Sequence, residues 1–124
     1  MGYIAHDAVL VVTQDYREGG LPDMDAFRDS MPEHFRHLVI GPIPTAVNGD
    51  TLYAFLPDGS KEGWSSSDLG DEWRERFKAL FRFAYSDGSS PDDVVSVRFG
   101  GDFGYEFGAR VATDWPPRAV GYNE

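Results

Sequence analysis

The chain has 124 residues, of which 41% are hydrophobic and 15% aromatic, enough apolar material for one buried core. It contains no cysteine, which excludes disulfides, zinc–thiolate sites and thiol nucleophiles, and its net charge of −10 disfavours nucleic acid and anionic lipid as partners. The longest apolar run, Ala8–Val12, is too short to span a bilayer, and no basic segment precedes it as in a signal peptide. We therefore interpret residues 1–124 as a single soluble α+β domain.

The first predicted elements are a central strand and a short helix. Residues 8–13 are β-branched and apolar on both faces, which is typical of a strand covered on at least one side. Asp23 is the expected N-cap of the helix, and Pro32 should end it near Met31. Three apolar residues define one face of this helix: Met24, Phe27 and Met31.

The next segment predicts a hairpin. Leu38–Ile40 begins an extended stretch that is interrupted by two prolines, which indicates an edge strand or a bulge because proline donates no ladder hydrogen bond. Asn48-Gly49 is a strong turn signal, and Thr51–Leu56 follows as the returning strand. We expect an exposed loop from Pro57 to Ser67.

The best-defined predicted element is a helix from Asp68 to Tyr85, capped by Ser67 or Asp68. Its apolar stripe covers about 80° of a helical wheel and consists of Leu69, Trp73, Phe77, Leu80 and Ala84. We expect Trp73, Phe77 and Leu80 to be buried against the sheet.

The basic residues of this helix fall into two groups. Arg74, Lys78 and Arg82 lie opposite the apolar stripe and predict an exposed basic ridge, with Tyr85 beside it. The ridge is either a solvated face paired with neighbouring acids or a site for a phosphate or a partner. Arg76 lies at the stripe, so we expect its stem to be buried and its head to contact an aromatic ring or a carboxylate.

Two strands are predicted in the last third of the chain. Val94–Phe99 is a predicted strand that alternates between apolar and polar residues from Val95 onwards, and Tyr105–Val111 alternates again after a glycine-rich turn. The order β-α-β-β-α-β-β predicts a two-layer, ferredoxin-like split βαβ with an antiparallel sheet, two helices on one face and an added C-terminal strand. The strand order in the sheet stays open at this point.

The short motifs of the chain do not predict chemistry. His34 and His37 have spacing that could serve a metal, but no third ligand stands out, and a surface turn is the better interpretation. Gly100–Gly104 is followed by a strand pattern instead of a helix, so it indicates a hairpin turn and not a phosphate loop. We expect no catalytic residue, no metal and no cofactor.

Trp64 lies in a loop whose composition predicts exposure. Tryptophan is enriched in binding hot spots, and the alternative is that Trp64 folds back and anchors its own loop. The candidate protein-binding residues are therefore Trp64, Arg74, Lys78, Arg82 and Tyr85.

Two stretches of the chain, Asp58–Trp64 (DGSKEGW) and Val97–Asp102 (VRFGGD), carry a resemblance. The chain resembles small uncharacterised accessory proteins encoded by phages of mycobacteria and related actinobacteria. That resemblance implies a non-structural accessory role in the cytoplasm of an infected bacterium, and it supplies no catalytic or binding residue.

The leading hypothesis is a non-enzymatic phage accessory protein that binds a host or phage protein. A second hypothesis is an acidic DNA mimic that inhibits a host nucleic-acid or defence enzyme, although the basic ridge interrupts the array of acids that mimicry needs. A third is a small-molecule binder or enzyme that uses the open face of the sheet. An exposed sheet face or edge would also allow a homodimer.

Overall fold

A computed structural model describes residues 5–14, 19–61, 63–100 and 109–116. The elements in this part of the chain are β1 (His6–Gln14), α1 (Met24–Ser30), a 3₁₀ helix (Glu33–Leu38), β2 (Val39–Pro44), β3 (Asp50–Phe55), α2 (Ser65–Ala79), β4 (Asp93–Phe99) and β5 (Arg110–Trp115). Neither α-helix has the length and apolar composition needed to cross a bilayer, which holds for the described residues.

The strands form one five-stranded antiparallel sheet in the order β2-β3-β1-β4-β5. The predicted α+β class with an antiparallel sheet is therefore confirmed. β1 lies at the centre, where Val9 is opposite Phe55 of β3 and Ser96 of β4. β2 is an edge strand with a shift of register between Ile40 and Ile43, as its prolines predicted.

The local turn and cap signals in the first half of the chain are also confirmed. Asn48 and Gly49 join β2 to β3 with positive φ angles of 71° and 69°, the conformation that an Asn-Gly hairpin turn requires. The carboxylate of Asp23 accepts a hydrogen bond of 3.0 Å from the backbone amide of Ala26 and caps α1. His34 and His37 are exposed on the 3₁₀ helix, in agreement with a surface turn.

The core lies between one face of the sheet and the two α-helices. This covered face carries Val9, Val11, Tyr53 and Phe55, which pack with residues of α1 and α2 in one apolar cluster. Phe77 of α2 makes an edge-to-face contact with Phe55, at 5.8 Å between ring centroids. The predicted burial of Trp73 and Phe77 is confirmed, whereas Leu80 is only partly buried.

The predicted bounds of α2 were wrong at both ends. The helix begins at Ser65, and it ends at Ala79 instead of Tyr85. The predicted continuation to Tyr85 is prevented by Asp92, whose fully buried carboxylate accepts hydrogen bonds from Thr13 Oγ1 at 2.5 Å and from the backbone amide of Phe83 at 3.0 Å. Because this amide is bonded to Asp92, the helix does not continue through Phe83.

The predicted end of the last strand was wrong. β5 runs from Arg110 to Trp115, so it continues for four residues beyond the predicted end at Val111. The predicted start at Tyr105, like most of the glycine-rich turn before it, lies outside the described residues.

Candidate functional site

Arg74 is buried, contrary to the exposed basic ridge that the sequence predicted. Only 7% of the residue is accessible to solvent. Its guanidinium lies 3.2 Å from the carboxylate of Asp58 and 2.5 Å from that of Asp71, and the carboxylate of Asp7 is 4.0 Å away. Three acids from three segments therefore compensate this charge, which is the condition under which a protein tolerates a buried arginine.

Lys78 is buried in the same way, with 8% of the residue accessible. Its ammonium lies 2.6 Å from Glu75 and 3.4 Å from both Asp114 and the hydroxyl of Ser96. That hydroxyl donates a hydrogen bond of 2.5 Å to Asp114. Lys78 is thus tied to β4 and β5, and the prediction that it is exposed was wrong.

Arg74 and Lys78 are buried because α2 is rotated about its axis relative to the orientation that its apolar stripe predicted. On the helical wheel, the buried residues of α2 cover an arc of about 140°, with Trp73 at one edge and Lys78 at the other. The centre of this buried face lies about 70° from the centre of the predicted apolar stripe. The sequence contained one signal of this rotation, which is Gly70. A Cβ atom at Gly70 would collide with the carboxylate of Asp58, so the helix closely approaches the Asp58 side chain there.

Arg76 confirms the predicted contacts but not the predicted burial. Its guanidinium lies 4.5 Å from the centre of the Trp73 ring and 2.5 Å from the carboxylate of Glu72. However, 56% of its side chain is accessible, because the rotation of α2 turns this position towards solvent. Arg76 is therefore more exposed than Arg74 and Lys78, the reverse of the expectation.

Asp58 is the acid that fixes the loop before α2. Its carboxylate accepts hydrogen bonds from the amide of Ser60 at 2.8 Å and from the hydroxyl of Ser60 at 2.6 Å. Burial raises the pKa of Asp58, but these hydrogen bonds and the positive charge of Arg74 outweigh it, so the net pKa is lowered. Asp58 therefore remains ionised and holds the guanidinium of Arg74.

A cleft of about 600 Å³ lies between α2 and the sheet, and we name it the charged cleft. Its floor consists of residues 7–9 of β1, 96–98 of β4 and 110–112 of β5. Its wall on α2 consists of Asp71, Arg74, Glu75 and Lys78. The cleft is open because the opposed residues Ser96 and Ala112 beneath the helix are both small.

The floor of the charged cleft adds two further cations. Arg98 donates two hydrogen bonds to the carboxylate of Asp7, at 2.8 and 3.0 Å. Arg98 and Arg110 are directly opposite each other in the β4–β5 register, an arrangement that is destabilising for like charges unless anions compensate it. Four cations therefore line one cleft of a protein whose acids outnumber its bases by 21 to 11.

The other three candidate residues are exposed. Trp64 precedes α2, with the ammonium of Lys61 at 5.6 Å from the centre of its ring. Arg82 and Tyr85 follow the end of α2, where Tyr85 packs edge to face on Phe83 at 4.9 Å. Because the helix ends at Ala79, the surface shared by Arg74 and Lys78 does not extend to Arg82 or Tyr85.

The second face of the sheet is apolar, and we name it the open face. It is defined by exposed large side chains on strands β1, β2 and β5, which are Leu10, Val12, Ile43 and Val111. Leu10 is 46% accessible and Val111 67%, although both lie within strands. Side chains alternate between the two faces along residues 8–13, so Leu10 and Val12 lie on the other face of β1 from the core residues Val9 and Val11. The sequence therefore indicated that this second face is apolar. None of the candidate residues chosen from the sequence belongs to the open face.

The chemistry of the charged cleft includes a serine beside a lysine. A serine nucleophile needs a neutral base to accept its proton. Lys78 instead lies 2.6 Å from the carboxylate of Glu75 and 3.4 Å from that of Asp114, and the Ser96 hydroxyl donates its hydrogen bond to Asp114. The arrangement is therefore suited to holding charges in place and not to activating Ser96.

The chain matches no protein-family model, no curated protein and no solved structure.

Proposed function

We propose that this chain is a non-enzymatic accessory protein that binds a host or phage protein in the bacterial cytoplasm, and that the open face is its interface. The observation that carries the proposal is the exposure of large apolar side chains at the centre of a sheet. Such patches on folded proteins mark interaction sites. The phage setting rests on the resemblance of Asp58–Trp64 and Val97–Asp102 to actinobacteriophage proteins.

The size of the open face supports an interface core. Five strands at about 4.8 Å spacing and about five residues of each strand give a face of roughly 400 Å². This matches the patches of roughly 300–600 Å² that are often functional on monomers, and it is about half of a standard interface of roughly 800 Å² per partner. The partner therefore also contacts a surrounding rim of the protein.

Charge complementarity indicates the chemistry of the partner. Among the described strand residues, the side of the sheet that carries Leu10 has no Lys or Arg, and Asp50 and Asp93 lie at one of its ends. Together with the net charge of −10, this favours a protein that presents an apolar surface flanked by basic side chains. A second copy of the chain would bring equal acidic charges together and is less favoured.

Other functions receive less support from the same observations. A DNA mimic needs an unbroken array of carboxylates, whereas the acids of α2 are paired with bases, Asp71 with Arg74 at 2.5 Å and Glu75 with Lys78 at 2.6 Å. A small-molecule or catalytic site on the open face would need convergent polar groups. The described strand residues paired with Leu10 and Val12 supply a single polar side chain, that of Asp93.

The proposal extends to the fold family. We infer the ferredoxin-like split βαβ with an added C-terminal strand, and the position of β1 between β3 and β4 supports it. In this architecture the two helices pack on one face of the sheet, and the other face is left for a partner.

The test uses the full chain as bait in lysate of an actinobacterial host. Leu10→Glu places a charge at the centre of the open face, and Val47→Glu places the same charge at an exposed apolar residue of the β2–β3 turn. We expect wild type and Val47→Glu to retain the same protein at 500 mM salt and Leu10→Glu to lose it, because the interface is apolar. The captured protein is then identified and purified, and its Kd should rise at least about tenfold with Leu10→Glu.

Two results would contradict the proposal. Equal affinity of Leu10→Glu and Val47→Glu for the purified partner would exclude the open face as the interface. Self-association of wild type in sedimentation, lost in Leu10→Glu alone, would assign the face to a second copy. Denaturant melts of both variants establish that they are folded, and Val12→Thr supplies a milder change of the same face that keeps its β-branched shape.

A further inference from the structure

We propose that the outer edge of β5 pairs with β5 of a second copy of the chain, antiparallel and related by a two-fold axis through Ala112. A strand at the edge of a sheet presents amide and carbonyl groups that are not bonded to a neighbouring strand, and these groups are a template for another strand. The sheet has two edge strands, β2 and β5, and among the described residues β4 is the strand that pairs with β5. The two edges differ in how they are protected.

The edge at β2 is protected against pairing. Pro42 and Pro44 have no amide proton to donate to another strand, and the register of β2 with β3 shifts between them and the start of the strand. The guanidinium of Arg28 in α1 donates a hydrogen bond to the carbonyl of Gly41, so this acceptor of β2 is already used within the chain. Prolines and bulges are the features by which proteins prevent edge-to-edge association.

The first four residues of β5 lack these features. Arg110–Thr113 pairs with β4 without a shift of register and contains no proline. All four residues are exposed, and Val111 is 67% accessible. The regular edge ends at Asp114, the extra residue of a bulge in β5. The segment available for pairing is therefore short and lies before the bulge.

The register follows from the pattern of side chains along β5. In an antiparallel pair, opposed residues share a face of the sheet, so a two-fold axis that keeps both open faces on one side passes through a residue. An axis through Ala112 places Val111 of each copy opposite Thr113 of the other, both on the open side of the sheet. These β-branched side chains pack well on a pleated surface. An axis through Val111 would instead place Thr113 opposite Ala109, which lies outside β5.

A second copy fits this edge better than it fits the open face. β5 contains one Arg and one Asp, so the strand is neutral, whereas the open face has two aspartates at one end. The repulsion between two chains of net charge −10 then acts over longer distances, which salt screens. The dimer also joins two open faces of roughly 400 Å² into one of roughly 800 Å², the area of a standard interface per partner. Only this last point rests on the proposed function.

Single cysteines test the register, because the chain contains no cysteine of its own. Opposed Cα atoms of an antiparallel pair are about 4.5–5.5 Å apart, within the range of a disulfide. We expect Ala112→Cys to form a disulfide-linked dimer of the full chain under mild oxidation. Thr113→Cys, on the same strand but about two positions from its own copy, should cross-link at least about fivefold more slowly. Val47→Cys in the exposed β2–β3 turn measures random collision.

Reversible association is measured by sedimentation of the full chain from about 10 µM to about 1 mM, because so short an edge gives a weak dimer. The salt concentration is about 150 mM. Ala112→Lys and Ala112→Glu each place like charges on the two-fold axis and should raise the Kd of the dimer at least about tenfold. An equimolar mixture of the two variants should restore association, because opposite charges then meet on the axis. Val47→Lys and Val47→Glu, alone or mixed, should change the Kd less than about twofold.

Leu10→Glu should also leave the Kd of the dimer within about twofold, since Leu10 is not at the edge. Loss of a captured partner in Leu10→Glu and loss of the dimer in Ala112→Lys therefore test the two proposals separately. Denaturant melts establish that the charged variants are folded, and Ala112→Cys supplies a smaller change at the same position. A wild type that stays monomeric at the highest concentration would overturn the proposal. Cross-linking of Ala112→Cys no faster than that of Thr113→Cys, or a mixture of charged variants that does not associate, would also overturn it.

Discussion

The two faces of the sheet differ in what covers them. On the covered face beside α2, Arg74 and Lys78 are buried among carboxylates, whereas on the open face Leu10 and Val111 are exposed to solvent. Charged residues are seldom buried unless they are paired. Burial therefore depends on which face another element covers, and a covered face accepts cations when acids pair with them. An apolar face that stays uncovered then indicates a contact with another molecule.

The largest expected effect separates the two faces by their contribution to stability. Phe77 is fully buried between α2 and the covered face, so Phe77→Ala should lower the free energy of unfolding by about 3–5 kcal/mol. Leu10→Ala, on the open face, should cost less than about 1 kcal/mol, because much of its side chain already contacts water. Denaturant unfolding measures both changes. A loss below about 1 kcal/mol for Phe77→Ala would mean that the ring is not part of the core.

The second effect tests the buried cation against its exposed counterpart on the same helix. Arg74→Met leaves the buried carboxylate of Asp58 without its cation and should cost about 3 kcal/mol in the free energy of unfolding. Arg76→Met removes an exposed pair with Glu72 and should cost less than about 1 kcal/mol. Equal losses in urea unfolding would show that the position of the pair on the helix has no influence, against the comparison above.

Much of the fold could be predicted from the sequence because its signals are local. The cap at Asp23 and the turn at Asn48-Gly49 depend on bonds and φ angles within a few residues. The end of α2 could not, because it depends on Asp92, which bonds to Thr13 at a separation of 79 residues. A helical wheel has no information about such distant partners.

The charged cleft could not be predicted from the sequence, because it also depends on contacts between residues that are distant in the chain. A helical wheel assigns only apolar side chains to the core. It therefore predicts that the candidate residues Arg74 and Lys78 form an exposed ridge. Their burial depends on Asp58 and Asp114, which are 16 and 36 residues away in the chain. Gly70 was the local signal, since a glycine within an amphipathic helix often marks a close approach.

A smaller effect is expected at this glycine. Gly70→Ala would gain up to about 1 kcal/mol at an ordinary helix position. Here the added Cβ collides with the Asp58 carboxylate and displaces it from Arg74, so we expect a net loss of about 1 kcal/mol instead. Ser65→Ala, at the exposed start of α2, is the control without a collision. A gain of stability in thermal unfolding of Gly70→Ala would mean that α2 does not contact Asp58 so closely.

The smallest effect compares two identical tripeptides, Asp-Gly-Ser, one on each side of α2. Asp58 and Asp87 each accept hydrogen bonds from the amide and the hydroxyl of the serine two residues later, with lengths of 2.6–2.9 Å. The pKa of both is lowered. For Asp58, burial opposes the shift while Ser60 and Arg74 produce it, and for Asp87, which is exposed, Ser89 produces it.

Only Asp58 lies against a buried cation, and acid titration should reveal this difference. A carboxyl whose pKa is lower in the folded than in the unfolded chain stabilises the fold at pH values above its ordinary pKa of 3.8. This stabilisation is lost as the pH falls through the pKa of the folded state. Between about pH 5 and pH 2, wild type should therefore lose stability more steeply than Asp58→Asn, in which this titration is absent. Asp87→Asn should follow wild type more closely, because water already solvates that carboxylate. Parallel curves for Asp58→Asn and wild type in urea unfolding at each pH would show that the contact with Arg74 does not hold the charge of Asp58 in the folded protein.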